Sequence, residues 1–216
     1  MKYIDEDGNK VIPVYCKDDN NPDTKNIPTK FTRAMELFAK TSFGKQILAD
    51  FTPKGEKVYG VIGNGKYAQY DLFLYAIDYT NLQTRTTKFF DMQKLKTIYA
   101  QTQLREDDSG KPKFHILFDL NYSENELIET ITHEFTVHLS CYENIFNSYS
   151  TRKKYEDALK QWHKYSQSKE HYDLGHNKQL EGSKNYYKTK NELIKLRPSL
   201  KTVFTNRLKE LKDYEN

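Results

Sequence analysis

The stretch SENELIETITHEFTVHL, residues 123–139, constrains this chain more than any other. Leu127, Ile128, Ile131, Phe135 and Leu139 recur at three- or four-residue spacing, which predicts an amphipathic helix. Ser123 and Glu126 form an S-x-x-E capping box, in which each side chain satisfies a backbone N–H at the helix start. Glu124 and Glu126 also place negative charge where the helix dipole favours it. Near its end the helix carries His133, Glu134 and His138. At 3.6 residues per turn, residues five apart stand about 140° apart around the axis, so a regular helix points these imidazoles to different sides. A π-bulge, which absorbs one extra residue, brings them together. Alternatively Glu134 and His138, four apart, form the pair that shares a face. Without either arrangement, both histidines are ordinary half-buried helix residues.

Around this helix the pattern changes period several times. Residues 1–28 are polar and turn-rich and read as an irregular arm, with a short strand at VIPVY (11–15). From Thr29, Phe31, Ala34, Met35, Phe38 and Ala39 fall on one helical face. A second short helix follows in TSFGKQILADF, with Ser42 as its N-cap and Pro53 and Gly55 as its stop. KVYGVIGNGKYAQYDLFLYAIDYT (57–80) reads as two strands around a Gly-Asn-Gly turn, with Leu72, Leu74 and Ala76 alternating with Asp71, Phe73 and Tyr75. TTKFFDMQ (86–93) is ambiguous. KLKTIYAQTQL (94–104) and KFHILFDL (113–120) form another strand pair, joined by the turn-rich REDDSGKP. A mixed, mostly antiparallel sheet of roughly four strands follows from these hairpins. Beyond the motif helix, 151–167 and 184–214 read as helices with a break at Arg197-Pro198. SKEHYDLGHNKQLEG (168–182) lies between them as a polar loop. The expected class is α+β, one domain spanning 1–216 with no internal linker.

Composition excludes several function classes. No run of eighteen apolar residues exists, so no membrane helix is expected, and the polar start MKYIDEDGNK lacks a secretory h-region. Cys16 and Cys141 lie far apart and suggest separate thiols in a reducing compartment. The net charge of +4 conceals an uneven distribution: residues 151–216 hold 16 Lys and Arg against 9 Asp and Glu. Those lysines interleave with acids, as in Lys209, Glu210 and Lys212, which suits a solvated helix face rather than a nucleic-acid stripe. Neither nucleic acid nor membrane is expected as a partner.

The histidines offer chemistry instead. Two imidazoles that meet can share a zinc ion, and a carboxylate beside them can take a proton from water that the ion acidifies. A catalytic site needs a third protein ligand from outside the helix. Candidates are His163, His171, Asp173, His176 and Glu181. His163 beside Trp162 reads as structural, and His115 as a strand-face residue. His176 is favoured because Gly175 before it permits close backbone approach, with Asp173 three residues earlier as an orienting acceptor. His171 and Glu181 remain open, and Tyr172 is a candidate for polarising a substrate carbonyl.

His133-Glu134-Phe135-Thr136-Val137-His138 resembles H-E-x-x-x-H, the variant of the zinc-peptidase H-E-x-x-H signature used by the dipeptidyl peptidase III type. The strand KFHILFDL running into the motif helix is similar to the zincin arrangement, in which the strand beside the helix lines the substrate cleft. Over roughly residues 30–180 the pattern is also similar to zincin-like domains of bacterial polymorphic toxins and secreted effectors, which place a histidine in the loop after the motif. The resemblance implies a zincin-like core with additional C-terminal helices. It implies Zn2+ held by His133, His138 and His176, with Glu134 activating water to hydrolyse a peptide bond. The implied partners are a peptide or protein substrate, with a secretion-system or immunity partner possible for a toxin. The implied location is cytoplasmic, or reached by a signal-peptide-independent secretion route. A catalytically inactive zincin-fold binding or effector module is the alternative.

Overall fold

The computed structural model describes residues 11–16, 22–78, 99–164, 170–176 and 179–213. VIPVYC, placed in the arm by its polar neighbours, is a full strand, β1 (Val11–Cys16). It forms one edge of the sheet, where Pro13 is tolerated. Two amphipathic helices follow. α1 (Thr29–Phe38) buries Phe31, Ala34, Met35 and Phe38 as the period predicts. α2 (Ser42–Phe51) is capped by Thr41 rather than Ser42: the Thr41 hydroxyl accepts from the Gly44 N–H at 3.1 Å. Ser42 is drawn away, donating its own N–H and O–H to Glu192.

The hairpin expected around Gly-Asn-Gly forms earlier and is smaller. β2 (Lys57–Val58) and β3 (Val61–Ile62) are joined by Tyr59-Gly60, both at positive φ (47° and 81°), as a two-residue hairpin loop of this kind requires. Gly63-Asn64-Gly65 instead folds back onto the end of α2. A Cβ on Gly63 would stand 2.1 Å from the Pro53 carbonyl oxygen, and Asn64 donates to Asp50 at 2.6 Å.

β4 (Leu72–Ile77), β5 (Ala100–Glu106) and β6 (Pro112–Asp119) complete a four-stranded sheet in the order β1-β4-β6-β5. β1, β4 and β6 run parallel, and only β5 is antiparallel, paired with β6. The sheet is therefore mixed but not mostly antiparallel as expected. The reason lies in β4, which is buried at all six positions. Leu72, Leu74 and Ala76 enter the main core, while Phe73, Tyr75 and Ile77 join Ile12, Val14 and Leu117 on the opposite face. A strand apolar on both sides suits an interior parallel position, reached by a crossover rather than a hairpin. The β5–β6 hairpin forms as expected, its turn closed by Asp107, which accepts the N–H groups of Ser109 and Lys111.

The motif helix, α3 (Glu124–His133), has both bonds of its capping box. It buries Leu127, Ile128 and Ile131 against the sheet and α1, and Phe135 beyond it packs on Phe38 with ring centroids 4.9 Å apart. After a π-helical turn come α4 (Tyr142–Ser148), α5 (Arg152–Lys164), α6 (Glu170–Gly175), α7 (Glu181–Leu196) and α8 (Leu200–Asp213). α7 and α8 break at Arg197–Ser199, where Pro198 was expected to interrupt. The expected polar loop 168–182 contains α6. No described helix is long and apolar enough to cross a membrane. Cys16 and Cys141 form no disulfide. TTKFFDMQ lies outside the described residues.

Candidate metal centre

Glu134–His138 is a π-helix, so the extra residue between the histidines is absorbed by widening one turn. That irregular segment strains ordinary helix bonding, and side chains compensate for it. Thr136 Oγ1 donates to the Thr132 carbonyl at 2.7 Å, Ser140 Oγ to Val137 at 3.1 Å, and Trp162 Nε1 from α5 to His138 at 2.9 Å. α7 packs directly on the turn through Gly182, where a Cβ would meet the Thr136 carbonyl and Val137 Cα at 3.1 Å.

The result is that His133 and His138 face one another, ring centroids 5.2 Å apart. A third imidazole joins them. His171, on α6, lies 5.0 Å from His133 and 4.9 Å from His138 by ring centroid. One nitrogen from each of the three lies within 4.8 Å of the others, and His133 Nε2 and His171 Nε2 are 3.0 Å apart. His176, expected as the third ligand, is exposed in the turn that ends α6 and is not in this cluster. Glu181 is exposed at the start of α7 and is not in it either. α6 explains the exchange. Leu174, three residues after His171, is buried, Gly175 fits against Leu211, and Tyr187 donates to the Leu174 carbonyl at 3.0 Å. Seating Leu174 presents His171 to the motif, whereas His176 comes after the helix has ended.

Asp173 plays a different part from the orienting one expected of it. Its buried carboxylate accepts the N–H groups of Gln179 and Leu180 at 2.9 and 2.8 Å, tying the end of α6 to the start of α7. His163 is exposed beside Trp162, and His115 lies on β6 on the sheet face away from the motif. The side chain of Tyr172 lies outside the described residues.

Glu134 is 5% exposed and stands beside the trio, its Oε2 4.0 Å from His138 Nε2. Thr102 on β5 donates its hydroxyl to that oxygen at 2.5 Å. Burial pushes the Glu134 carboxyl up to about 7, against the opposing pull of Thr102. Burial holds His133 well below its ordinary value, reinforced by His171 and His138, so its ring is neutral and its nitrogen lone pair is available. Behind His133, Tyr186 approaches edge-on at 6.2 Å and donates to the buried Glu129 at 2.7 Å.

The strand expected to line the site, β6, is interior. Edge strand β5 faces the π turn instead, which is why Thr102 rather than a β6 residue meets Glu134. Sequence reasoning passed over Thr102, Gly182 and the carbonyl bond from Trp162. None has a local signature, since each is defined by what it meets across the fold. No known protein family, curated protein or solved structure matches the chain.

Three imidazoles, two from the motif and one from α6, make a donor set that could hold a metal ion. Among the described residues His133 Nδ1 is buried with no hydrogen-bond partner, while its Nε2 lies in the cluster. The residues present fit such an ion.

Proposed function

We propose that this chain is a zinc-dependent hydrolase of zincin-like type, cleaving a peptide bond in a peptide or protein. One observation carries the reading: a π turn brings His133 and His138 to one side, against His171, with a buried carboxylate between the motif histidines in sequence. A π-bulge is an energetically poor way to build a helix unless its geometry is used.

His133, His138 and His171 would hold the ion. Zinc bound there supplies Lewis acidity, making water acidic enough to act as a nucleophile near neutral pH. Glu134 takes the proton from that water, a role helped by a carboxyl held near 7. Thr102 would hold Glu134 Oε2 in place beside the histidines. The low-dielectric surroundings favour the reading because they strengthen each of these interactions.

The same burial supports a second reading. His133, Glu134 and His138 are 2%, 5% and 9% exposed, which also suits a closed binding or effector module without turnover. Elemental analysis and a broad peptide library separate the two. The expected result is zinc in both wild type and Glu134→Gln, with hydrolysis in wild type alone. Zinc without turnover in wild type selects the inactive module. Loss of zinc in Glu134→Gln makes Glu134 a ligand and removes the proton-acceptor role.

A further inference from the structure

Glu134 stands between two competing partners. Its Oε2 lies 4.0 Å from His138 Nε2, within the π turn. Zinc accepts carboxylate oxygens as well as imidazole nitrogens. A carboxylate so placed could become a fourth ligand unless something holds it elsewhere. Thr102 holds that same oxygen. Its hydroxyl donates at 2.5 Å.

Strand geometry makes that hold dependable. Thr102 pairs with Ile116, which lies in the helix-side core, so the pleat directs Thr102 toward the π turn. Gln101 and Gln103 take the opposite face, bonded to each other at 3.0 Å. β5 is also the sheet edge beside the turn, so no other strand comes between Thr102 and Glu134.

Resting on the zinc reading above, we propose that Thr102 is a positioning residue that keeps Glu134 out of the metal's coordination shell. The bond from Thr102 to the carboxylate is charge-assisted and would be lost if the carboxylate turned to the ion. Without the hydroxyl, a carboxylate this buried is short of a donor, and coordination is the available compensation. The fourth ligand then fills the position that a catalytic site keeps open for water.

The test substitutes Thr102→Val, Thr102→Ser and Glu134→Gln in the full chain. Zinc affinity is read by competition with a chromophoric chelator, and coordination by the visible absorption of the Co2+-loaded protein. Thr102→Val is expected to bind zinc on the order of tenfold more tightly, opposite in sign to the usual loss on removing a residue behind the ligands. It should also shift the Co2+ spectrum and lose turnover of the peptide library. Thr102→Ser, which keeps the hydroxyl, should match wild type. Adding Glu134→Gln to Thr102→Val should return zinc affinity to the wild-type value. Unchanged affinity and spectrum in Thr102→Val overturn this role while leaving the zinc reading standing, and so does equal weakening in the Val and Ser variants. A wild-type chain that takes up neither ion overturns both. Valine keeps the branched shape a strand accepts; Thr102→Ala gives the same readout if valine disturbs folding.

Discussion

His115 shows how much one residue's surroundings add to its identity. It is 7% exposed, and neither ring nitrogen has a hydrogen-bond partner among the described residues. Its ring lies against Phe73 and Tyr75, at 4.8 and 5.3 Å. Burial, then the positive charges of Arg105 and Lys113, push its pKa down to about 3. The folded chain therefore keeps it neutral, whereas the unfolded chain protonates it near pH 6.5. Between about pH 3 and 6.5 the unfolded state binds the extra proton, so this histidine's stabilising effect is complete above 6.5 and declines as pH falls. The slope reaches about 1.4 kcal/mol per pH unit. Glu129 and Glu134, both pushed up to about 7 by burial, act in the opposite sense, weakening the fold as pH rises above their unfolded values. The difference between wild type and His115→Leu isolates the histidine. In urea unfolding, the variant should gain on wild type steadily from pH 6.5 to 4.5, with a constant difference above pH 7. Parallel curves across the whole range would contradict it.

Among the elements, the π turn and α7 depend on one another. The turn widens the backbone at 134–138, and Gly182 lets α7 pack closely against it. Its Cβ would meet backbone at 3.1 Å and Ser140 Oγ at 3.2 Å, tighter than ordinary packing. Gly182→Val adds two further methyl groups at this point. The expected cost is about 1–3 kcal/mol in unfolding free energy, as for other overpacked sites. The separation between His133 and His138 should change with it, so zinc affinity should fall further than stability alone accounts for. Chemical denaturation and chelator competition on one preparation compare the two. A variant that loses stability but binds zinc as wild type would show that the turn holds its geometry without α7. The five-residue histidine spacing was legible in the sequence as a demand for irregularity only if the two histidines meet. That the chain meets it with a π turn follows from neighbours: Trp162, Ser140 and Thr136 satisfy the displaced carbonyls.

Across the whole molecule, the three histidines tie together parts distant in sequence. His133 and His138 belong to the motif, and His171 rides on a six-residue helix held by α7 and α8. An ion bound by all three would stabilise the native chain, because the unfolded chain does not hold them together. At a free zinc concentration a hundred times the dissociation constant, linkage gives about 2.7 kcal/mol. Chelation with EDTA should therefore lower Tm, and re-addition of zinc should restore it. His171→Ala should show a much smaller zinc-dependent shift, whereas His176→Ala should behave as wild type. An equal shift in all three proteins would remove His171 from the ligand set.

The sequence by itself determined what is local. Apolar spacing and the Ser123–Glu126 box specified α3, β-rich runs specified β4 and the β5–β6 pair, and the H-E-x-x-x-H spacing marked where the helix would depart from regularity if both histidines share an ion. Each of these is written within a few neighbouring residues, so period and capping chemistry suffice. Tertiary structure alone decided the rest. Strand direction depended on which faces of β4 were covered, and the third histidine depended on α6 burying Leu174 against α7 and α8. The partner of Glu134 came from a strand some thirty residues earlier. Those outcomes rest on contacts between segments far apart in the chain, and no local pattern encodes which segments will meet.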